Sequence, residues 1–140
     1  MKKIVIYADG GARGNPGPSG SGAVVLDSKD KVLAEVSEFI GHTTNNVAEY
    51  KALLGGLAAA VRLFEGETYD MDVEIRMDSE LVIKQMKGQY KVKHPNLKPL
   101  FAQAKELIDA YFPNITYTHV PREKNKLADA LANQAMDKGE

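Results

Sequence analysis

The change of hydrophobic period near residue 47 constrains this chain more than any other feature of its sequence. Three extended runs come before it, and helical and extended segments alternate after it. Residues 3 to 9 are apolar and β-branched up to Asp9-Gly10-Gly11, which reads as a buried strand stopped by a turn. The segment Gly14-Asn15-Pro16-Gly17-Pro18-Ser19-Gly20 is so rich in breakers that a loop is expected there. Residues 22 to 27 and 32 to 40 read as strands joined by the polar connector Ser28-Lys29-Asp30-Lys31, which suits a hairpin. The first three strands are therefore expected to be antiparallel neighbours.

From Val47 to about Phe64 the period is helical, with Tyr50, Leu53, Leu54, Leu57 and Val61 on one stripe and Thr44, Asn45 or Asn46 available as cap. Gly55 and Gly56 each cost about 1 kcal/mol inside a helix, so their presence predicts close packing against another element. Residues 71 to 77 alternate as a strand, 79 to 87 suit a short helix, and 97 to 111 a longer one carrying Leu100, Phe101, Ala104, Leu107 and Ile108. Residues 115 to 120 read as a strand, and 127 to 136 as a last helix with Leu127, Leu131 and Ala135 on its apolar side. Three strands followed by alternating helices and strands predict an α/β fold, a mixed sheet with helices packed on it. At 140 residues and 44% hydrophobic content, one domain spanning residues 1 to 140 is expected.

Cysteine is absent, which excludes a thiol nucleophile, a disulfide framework and cysteine-ligated zinc. Met1-Lys2-Lys3 opens like a signal peptide, but the apolar run after it is too short and ends at Asp9, and no later stretch approaches the roughly 20 apolar residues of a membrane span. A soluble, cytoplasmic, monomeric protein with no membrane contact and no obligate protein partner is expected. The net charge of −1 does not announce a nucleic-acid binder, yet the charge is segregated. Acids crowd residues 65 to 80, whereas residues 84 to 105 carry Lys84, Lys87, Lys91, Lys93, Lys98 and Lys105 with no acid between them. That run is either a solvated helix face or a surface that tracks phosphates.

Four carboxylates carry the chemistry. Asp9 ends a strand apolar on both faces, where a charge is costly unless compensated, although Asp before Gly-Gly also makes turns. Asp78 ends another strand, where it also has the option of capping the next helix. Glu49 and Asp129 fall in the first turns of their helices, beside the apolar stripes, where the helix dipole alone would favour an acid. Each carboxylate alone has a bland explanation, but two at strand ends and two at helix starts could converge on one edge of an α/β sheet, and the carboxyl ends of strands are where such sheets build their sites. Four gathered carboxylates repel unless divalent cations neutralise them, and all-oxygen ligation suits Mg²⁺ or Mn²⁺. Two such ions about 3.5 to 4 Å apart can activate water and stabilise a leaving oxygen in phosphodiester hydrolysis.

Four strings, Tyr7-Ala8-Asp9-Gly10-Gly11-Ala12-Arg13-Gly14-Asn15-Pro16-Gly17, Thr44-Asn45-Asn46-Val47-Ala48-Glu49, Met77-Asp78-Ser79 and Asn125-Lys126-Leu127-Ala128-Asp129-Ala130-Leu131-Ala132, resemble the motif blocks of type 1 ribonuclease H, in order and at family-like spacing. The resemblance spans essentially the whole chain. It implies a ribonuclease H-like fold with a five-stranded mixed sheet, three strands antiparallel and two parallel. It also implies a catalytic and metal-binding set of Asp9, Glu49, Asp78 and Asp129 holding two Mg²⁺ or Mn²⁺ ions. The activity implied is hydrolysis of the RNA strand of an RNA/DNA hybrid, leaving 5′-phosphate and 3′-hydroxyl ends.

For the substrate, the resemblance implies that Gly10, Gly11 and Asn15 meet the RNA minor groove and its 2′-hydroxyls. Thr44, Asn45 and Asn46 would bridge the two strands, and Lys87 and Tyr90 would face the DNA backbone. The chain departs from the pattern twice. Residues 87 to 99 are too few for the additional basic helix and loop that many members carry, so this is a compact form. The loop before the last aspartate, Val120-Pro121-Arg122-Glu123-Lys124-Asn125, lacks the histidine often found there, leaving Arg122 and Glu123 as candidates for its role; His119 belongs to the preceding strand. Two readings compete, another nuclease of the ribonuclease H-like superfamily and a non-catalytic hybrid-binding module. Asn15, Asn45 and Asn46 argue against the first, and retention of all four carboxylates against the second.

Overall fold

The structure, a computed structural model, describes residues 2 to 139. Its elements are β1 (Lys2–Ala12), β2 (Gly17–Asp27), β3 (Val32–Thr43), α1 (Asn45–Leu63), β4 (Met71–Met77), α2 (Glu80–Met86), α3 (Lys98–Tyr111), β5 (Ile115–His119), a short 3-10 turn (Arg122–Lys124) and α4 (Lys126–Lys138). The five strands form one sheet in the order β3-β2-β1-β4-β5. The first three pair antiparallel, while β4 lies parallel to β1 and β5 parallel to β4. This is the mixed sheet expected from the order of periods along the chain.

The polar connector works as a hairpin because the Asp27 carboxylate accepts from the backbone N–H groups of Lys29 and Lys31 at 2.8 and 2.9 Å. On one face of the sheet, Ile4, Ile6 and Ala8 of β1 and Val73 and Ile75 of β4 pack beneath Tyr50, Leu53 and Leu57 of α1, with Leu100, Ala104 and Ile108 of α3 alongside. Each fully buried large apolar side chain contributes roughly 1.5–3 kcal/mol of transfer free energy. The two helix glycines are close-packed as expected: a Cβ on Gly56 would lie 2.6 Å from Ile6, and one on Gly55 3.2 Å from Val36. Among the described residues no helix is long and apolar enough to cross a membrane.

Three expectations need correction. The turn lies later than Gly10-Gly11, because β1 continues through both glycines to Ala12, so Asp9 is a strand residue and not a turn residue. The breaker-rich segment is only partly loop, since β2 already starts at Gly17 and pairs Ser19 with Ala12 and Gly20 with Gly11. The reason lies in α4, whose backbone crosses β2 here: a Cβ on Gly20 would sit 2.6 Å from the Ala132 carbonyl, and one on Gly22 2.3 Å from that of Ala128. Glycine in a strand then marks close backbone approach, not interruption. The same crossing sets the buried face of α4, which is Ala128, Ala132 and Ala135; Leu127 is 52% exposed. Small residues meet the glycines, where a stripe through Leu127 and Leu131 would hold the helix off the sheet.

Candidate active site

Register explains why two of the carboxylates meet. The last β1–β4 pair is Tyr7 with Arg76, and both aspartates stand two residues further on, which puts Asp9 and Asp78 level at the carboxyl ends of adjacent parallel strands. Neighbouring strands lie only about 4.8 Å apart. Gly10 brings in the third carboxylate, since a Cβ there would fall 2.2 Å from the Ala48 carbonyl carbon and 2.4 Å from the Glu49 nitrogen, so the start of α1 rests directly on β1. Ser21 adds a tie, its hydroxyl donating to the Ala48 carbonyl at 2.7 Å. Thr44 is the cap, accepting from the Val47 N–H at 3.3 Å. Because α1 begins at Asn45, Glu49 stands just beyond the first turn, and the dipole reading of its charge weakens. Asp129, in the first turn of α4, completes the set.

All four carboxylates line one open cleft together with Gly10, Gly11, Asn45, Asn46, Ser79, Arg13, Arg122 and Asn133. Ser79, not Asp78, caps α2, its hydroxyl accepting from the Val82 N–H at 3.2 Å, which leaves the Asp78 side chain to the cleft. Asp9 is 9% exposed, and its carboxyl is pushed far up by burial first, then by the Asp78 charge and by hydrogen bonds shared with Asp129 and Asp78. Burial and the Asp78 charge likewise raise Glu49 to about 7 against the weaker opposing pull of the Ser79 hydroxyl. Carboxylates gathered in one cleft repel one another unless a shared proton or a cation offsets their charge. Hard oxygen donors with raised proton affinity fit a divalent ion, with Asp9, Glu49, Asp78 and Asp129 as the residues to hold it. Among the described residues no three acidic or imidazole side chains are already closed into a ligand cage.

Of the expected substrate residues, Gly10, Gly11, Asn45 and Asn46 line this cleft. The Ala12 N–H donates to Asn45 Oδ1 at 2.7 Å, and the Asn45 N–H to Asn15 Oδ1 at 3.1 Å, clipping the β1–β2 turn to the start of α1. Asn46 and Leu81 also line a second depression with Asn15, Thr44, Gln85, Lys91, Lys93, His94 and Leu97. Its far wall is held by Gln85, which accepts from the Tyr50 hydroxyl at 2.5 Å and donates to the Lys91 carbonyl at 3.3 Å. Lys87 and Tyr90 lie outside the lining of both; Tyr90 is 45% exposed, with the Lys84 ammonium 5.0 Å from its ring centroid. Between α2 and α3 the chain forms no further helix, as the short spacing predicts.

The loop candidates separate. Arg122 lines the cleft, its guanidinium 3.9 Å from an Asp129 oxygen, while Glu123 lies with Tyr7, Leu26 and Leu127 in a different depression. His119 ends β5, and its Nε2 is 3.3 Å from the Asp78 carbonyl oxygen. One residue has a role that the sequence does not suggest. Asn125, 1% exposed, donates through Nδ2 to the Ala8 carbonyl at 2.9 Å and to Asp78 Oδ1 at 3.0 Å, while its own Oδ1 has no partner among the described residues. Leaving a buried acceptor unmatched costs about 1–3 kcal/mol. Its position just before an apolar helix signals a cap, and nothing in the sequence marks the bond to Asp78.

Comparison with known proteins agrees with this geometry. Residues 7–135 match the family described as reverse transcriptase-like. A bifunctional protein of Mycobacterium tuberculosis is 53% identical over 96% of this chain, and the chain spans 36% of that relative's length, as it does for two further mycobacterial proteins. Ribonuclease HI of Halobacterium salinarum is 42% identical over 96% of this chain and 65% of its own. Among solved structures, LC11-RNase H1 in complex with an RNA/DNA hybrid superimposes with a TM-score of 0.93 at 52% identity, covering 96% of this chain and 97% of that one. With the motif blocks, the strand order and these relatives in agreement, the chain belongs to the type 1 ribonuclease H family.

Proposed function

We propose that the protein hydrolyses the RNA strand of RNA/DNA hybrids with two divalent cations, Mg²⁺ or Mn²⁺, leaving 5′-phosphate and 3′-hydroxyl ends. The observation that carries the reading is the convergence of Asp9, Glu49, Asp78 and Asp129 on the lining of one open cleft. When bound, the ions would activate water and neutralise charge on the scissile phosphate. Asp9, Glu49, Asp78 and Asp129 would hold them. Gly10 and Gly11 line the cleft and would present it with main chain alone, Gly10 having spent its missing Cβ on the close approach of α1. Asn15 and Asn45 have their side-chain oxygens committed, so a substrate meets their amides as donors, suited to 2′-hydroxyls and to base acceptors in the minor groove. The depression holding Lys91 and Lys93 continues from the cleft through Asn46 and fits the phosphates of the second strand.

End-labelled RNA/DNA, RNA/RNA and DNA/DNA duplexes incubated with and without Mg²⁺ or Mn²⁺ test the reading. Cation-dependent cutting of the RNA strand of the hybrid is expected. Comparable cutting of DNA/DNA would favour another nuclease of the superfamily, and binding without cutting a hybrid-binding module.

A further inference from the structure

We infer that Asn125 is a positioning residue for the cleavage proposed above, its side-chain amide fixing the Asp78 carboxylate relative to β1 and to the start of α4. The inference rests on that functional reading and on three hydrogen bonds. Asn125 Nδ2 donates to the carbonyl of Ala8, the residue before Asp9, and to Asp78 Oδ1, while its main-chain carbonyl accepts from the Asp129 N–H at 3.0 Å. One buried residue is thus bonded to the strand that carries Asp9, to Asp78 itself and to Asp129.

The direction of the amide is what separates positioning from packing. Asn125 occupies the cap position of α4, where an asparagine side chain ordinarily accepts from the first turn of the helix, yet it makes no such bond. Both of its side-chain bonds run the other way, from one nitrogen to two acceptors. Turning the amide over would set its oxygen against the Ala8 carbonyl and the Asp78 carboxylate, so the orientation is fixed, and Oδ1 is left unmatched as a result. A residue kept for capping would be satisfied by serine, threonine or aspartate. Only a side chain with two N–H bonds on one small planar group can hold a carbonyl and a carboxylate at once in this space.

The test compares Asn125→Ala and Asn125→Asp with Thr68→Val. Thr68 is buried away from the cleft, and its hydroxyl donates to the Tyr111 carbonyl, so its variant reports simple loss of a buried hydrogen bond. Titration calorimetry with Mn²⁺ in the absence of nucleic acid is measured beside kcat and KM on the hybrid. Both Asn125 variants are expected to lose 10- to 100-fold in Mn²⁺ affinity and in kcat, the range of groups that orient metal ligands, with KM nearly unchanged. Thr68→Val is expected to melt earlier while keeping Mn²⁺ affinity and kcat. Unchanged Mn²⁺ affinity in a folded Asn125→Ala protein, an equal loss in Thr68→Val, or failure of both Asn125 variants to fold would overturn the proposal. Parent protein that binds Mn²⁺ but cuts no hybrid would overturn the functional reading instead.

Discussion

Strands β1 and β4 carry two clusters of charged side chains only a few residues apart, and they are built on opposite principles. In the first, Glu74 is met by Arg76, which donates from Nε and Nη2 to its two oxygens at 3.0 Å, by the Thr118 hydroxyl at 2.8 Å and by Lys3 at 3.4 Å. Arg76 also donates to the Tyr7 hydroxyl at 2.6 Å and lies 5.4 Å from the centre of its ring. The Arg76 hydrogen bonds, helped by Thr118 and Lys3, outweigh burial and hold the Glu74 carboxyl at about 2. In the second cluster acids face acids, and Asp9 and Glu49 are raised instead. A charge cluster that completes its own pairing serves the fold. One that leaves pairing to something outside the chain is built to bind it.

Replacing acidic side chains with neutral ones breaks the comparison at its strongest point. Asp9→Asn, Glu49→Gln and Asp78→Asn are each expected to lower hybrid cleavage on the order of 100- to 1,000-fold or more, because each would remove a carboxylate ligand of the proposed cations. In metal-free buffer the same variants should melt no earlier than the parent, since each relieves repulsion. Glu74→Gln should do the reverse, costing roughly 1.5–3 kcal/mol because charge-assisted bonds to Arg76 are lost, while cutting is retained. Thermal melts and single-turnover cleavage on the four proteins measure both. Earlier melting of Asp9→Asn, or cleavage lost in Glu74→Gln, would remove the contrast.

The two clusters should also respond to pH with opposite signs. Glu74 has a folded value below its ordinary 4.5, so its contribution to stability is complete above about 4.5 and is lost as pH falls toward about 2. Glu49 has a folded value above 4.5, so the fold favours its protonated form; its contribution is complete below about 4.5 and is lost as pH rises through about 7. Metal-free protein should therefore melt progressively earlier between about pH 4.5 and 7, and Glu49→Gln should flatten that slope. A slope unchanged by Glu49→Gln would show that folding does not raise the proton affinity of Glu49.

Much of this was legible in the sequence, and the failures share one cause. The strand over residues 71–77, the helix that follows it and the α1 stripe of Tyr50, Leu53 and Leu57 are set by local period, which a sequence displays directly. The start of β2, the buried face of α4 and the bond from Asn125 to Asp78 are set by what lies across the sheet. Gly20 and Gly22 look like breakers until Ala128 and Ala132 are placed on them, and Ala-rich helices look weakly amphipathic until their small residues are seen as the packing face. The four carboxylates were legible because strand ends and helix starts are themselves read from period, whereas their hydrogen-bond partners were not.

The depression lined by Lys91 and Lys93 sharpens the comparison on a smaller scale. Lys84 resembles the Glu74 cluster, paired with Glu80 at 2.7 Å and set against Tyr90, whereas Lys91 and Lys93 line the depression beside the cleft. Neutralising Lys87, Lys91 and Lys93 together should weaken hybrid binding and flatten its salt dependence, by up to about 0.9 in slope for each phosphate that these lysines neutralise in the parent. Filter binding over a range of salt concentrations measures this. A slope equal to the parent's would mark the lysines as a solvated face.

The smallest effect expected lies in the loop before α4, where Arg122 and Glu123 are adjacent in sequence but belong to different surroundings. Arg122 lines the cleft, and its guanidinium stands 3.9 Å from Asp129 at 81% side-chain exposure, too solvated for a large contribution to stability. What it can supply is a cation beside Asp129, available to a phosphate entering or leaving. Arg122→Ala should therefore lower turnover by about tenfold, the lower end for groups that support ligands, with little change in melting. Glu123→Ala should be silent, because its side chain faces Tyr7, Leu26 and Leu127, away from the carboxylates. His119 is the sharper control, because its Nε2 reaches the Asp78 carbonyl but not the cleft itself. His119→Ala is expected to leave turnover within the Arg122 effect and to change no pH profile. If turnover instead fell further in His119→Ala than in Arg122→Ala at unchanged melting, the imidazole at the end of β5 would be the working group, and Arg122 a bystander at the rim.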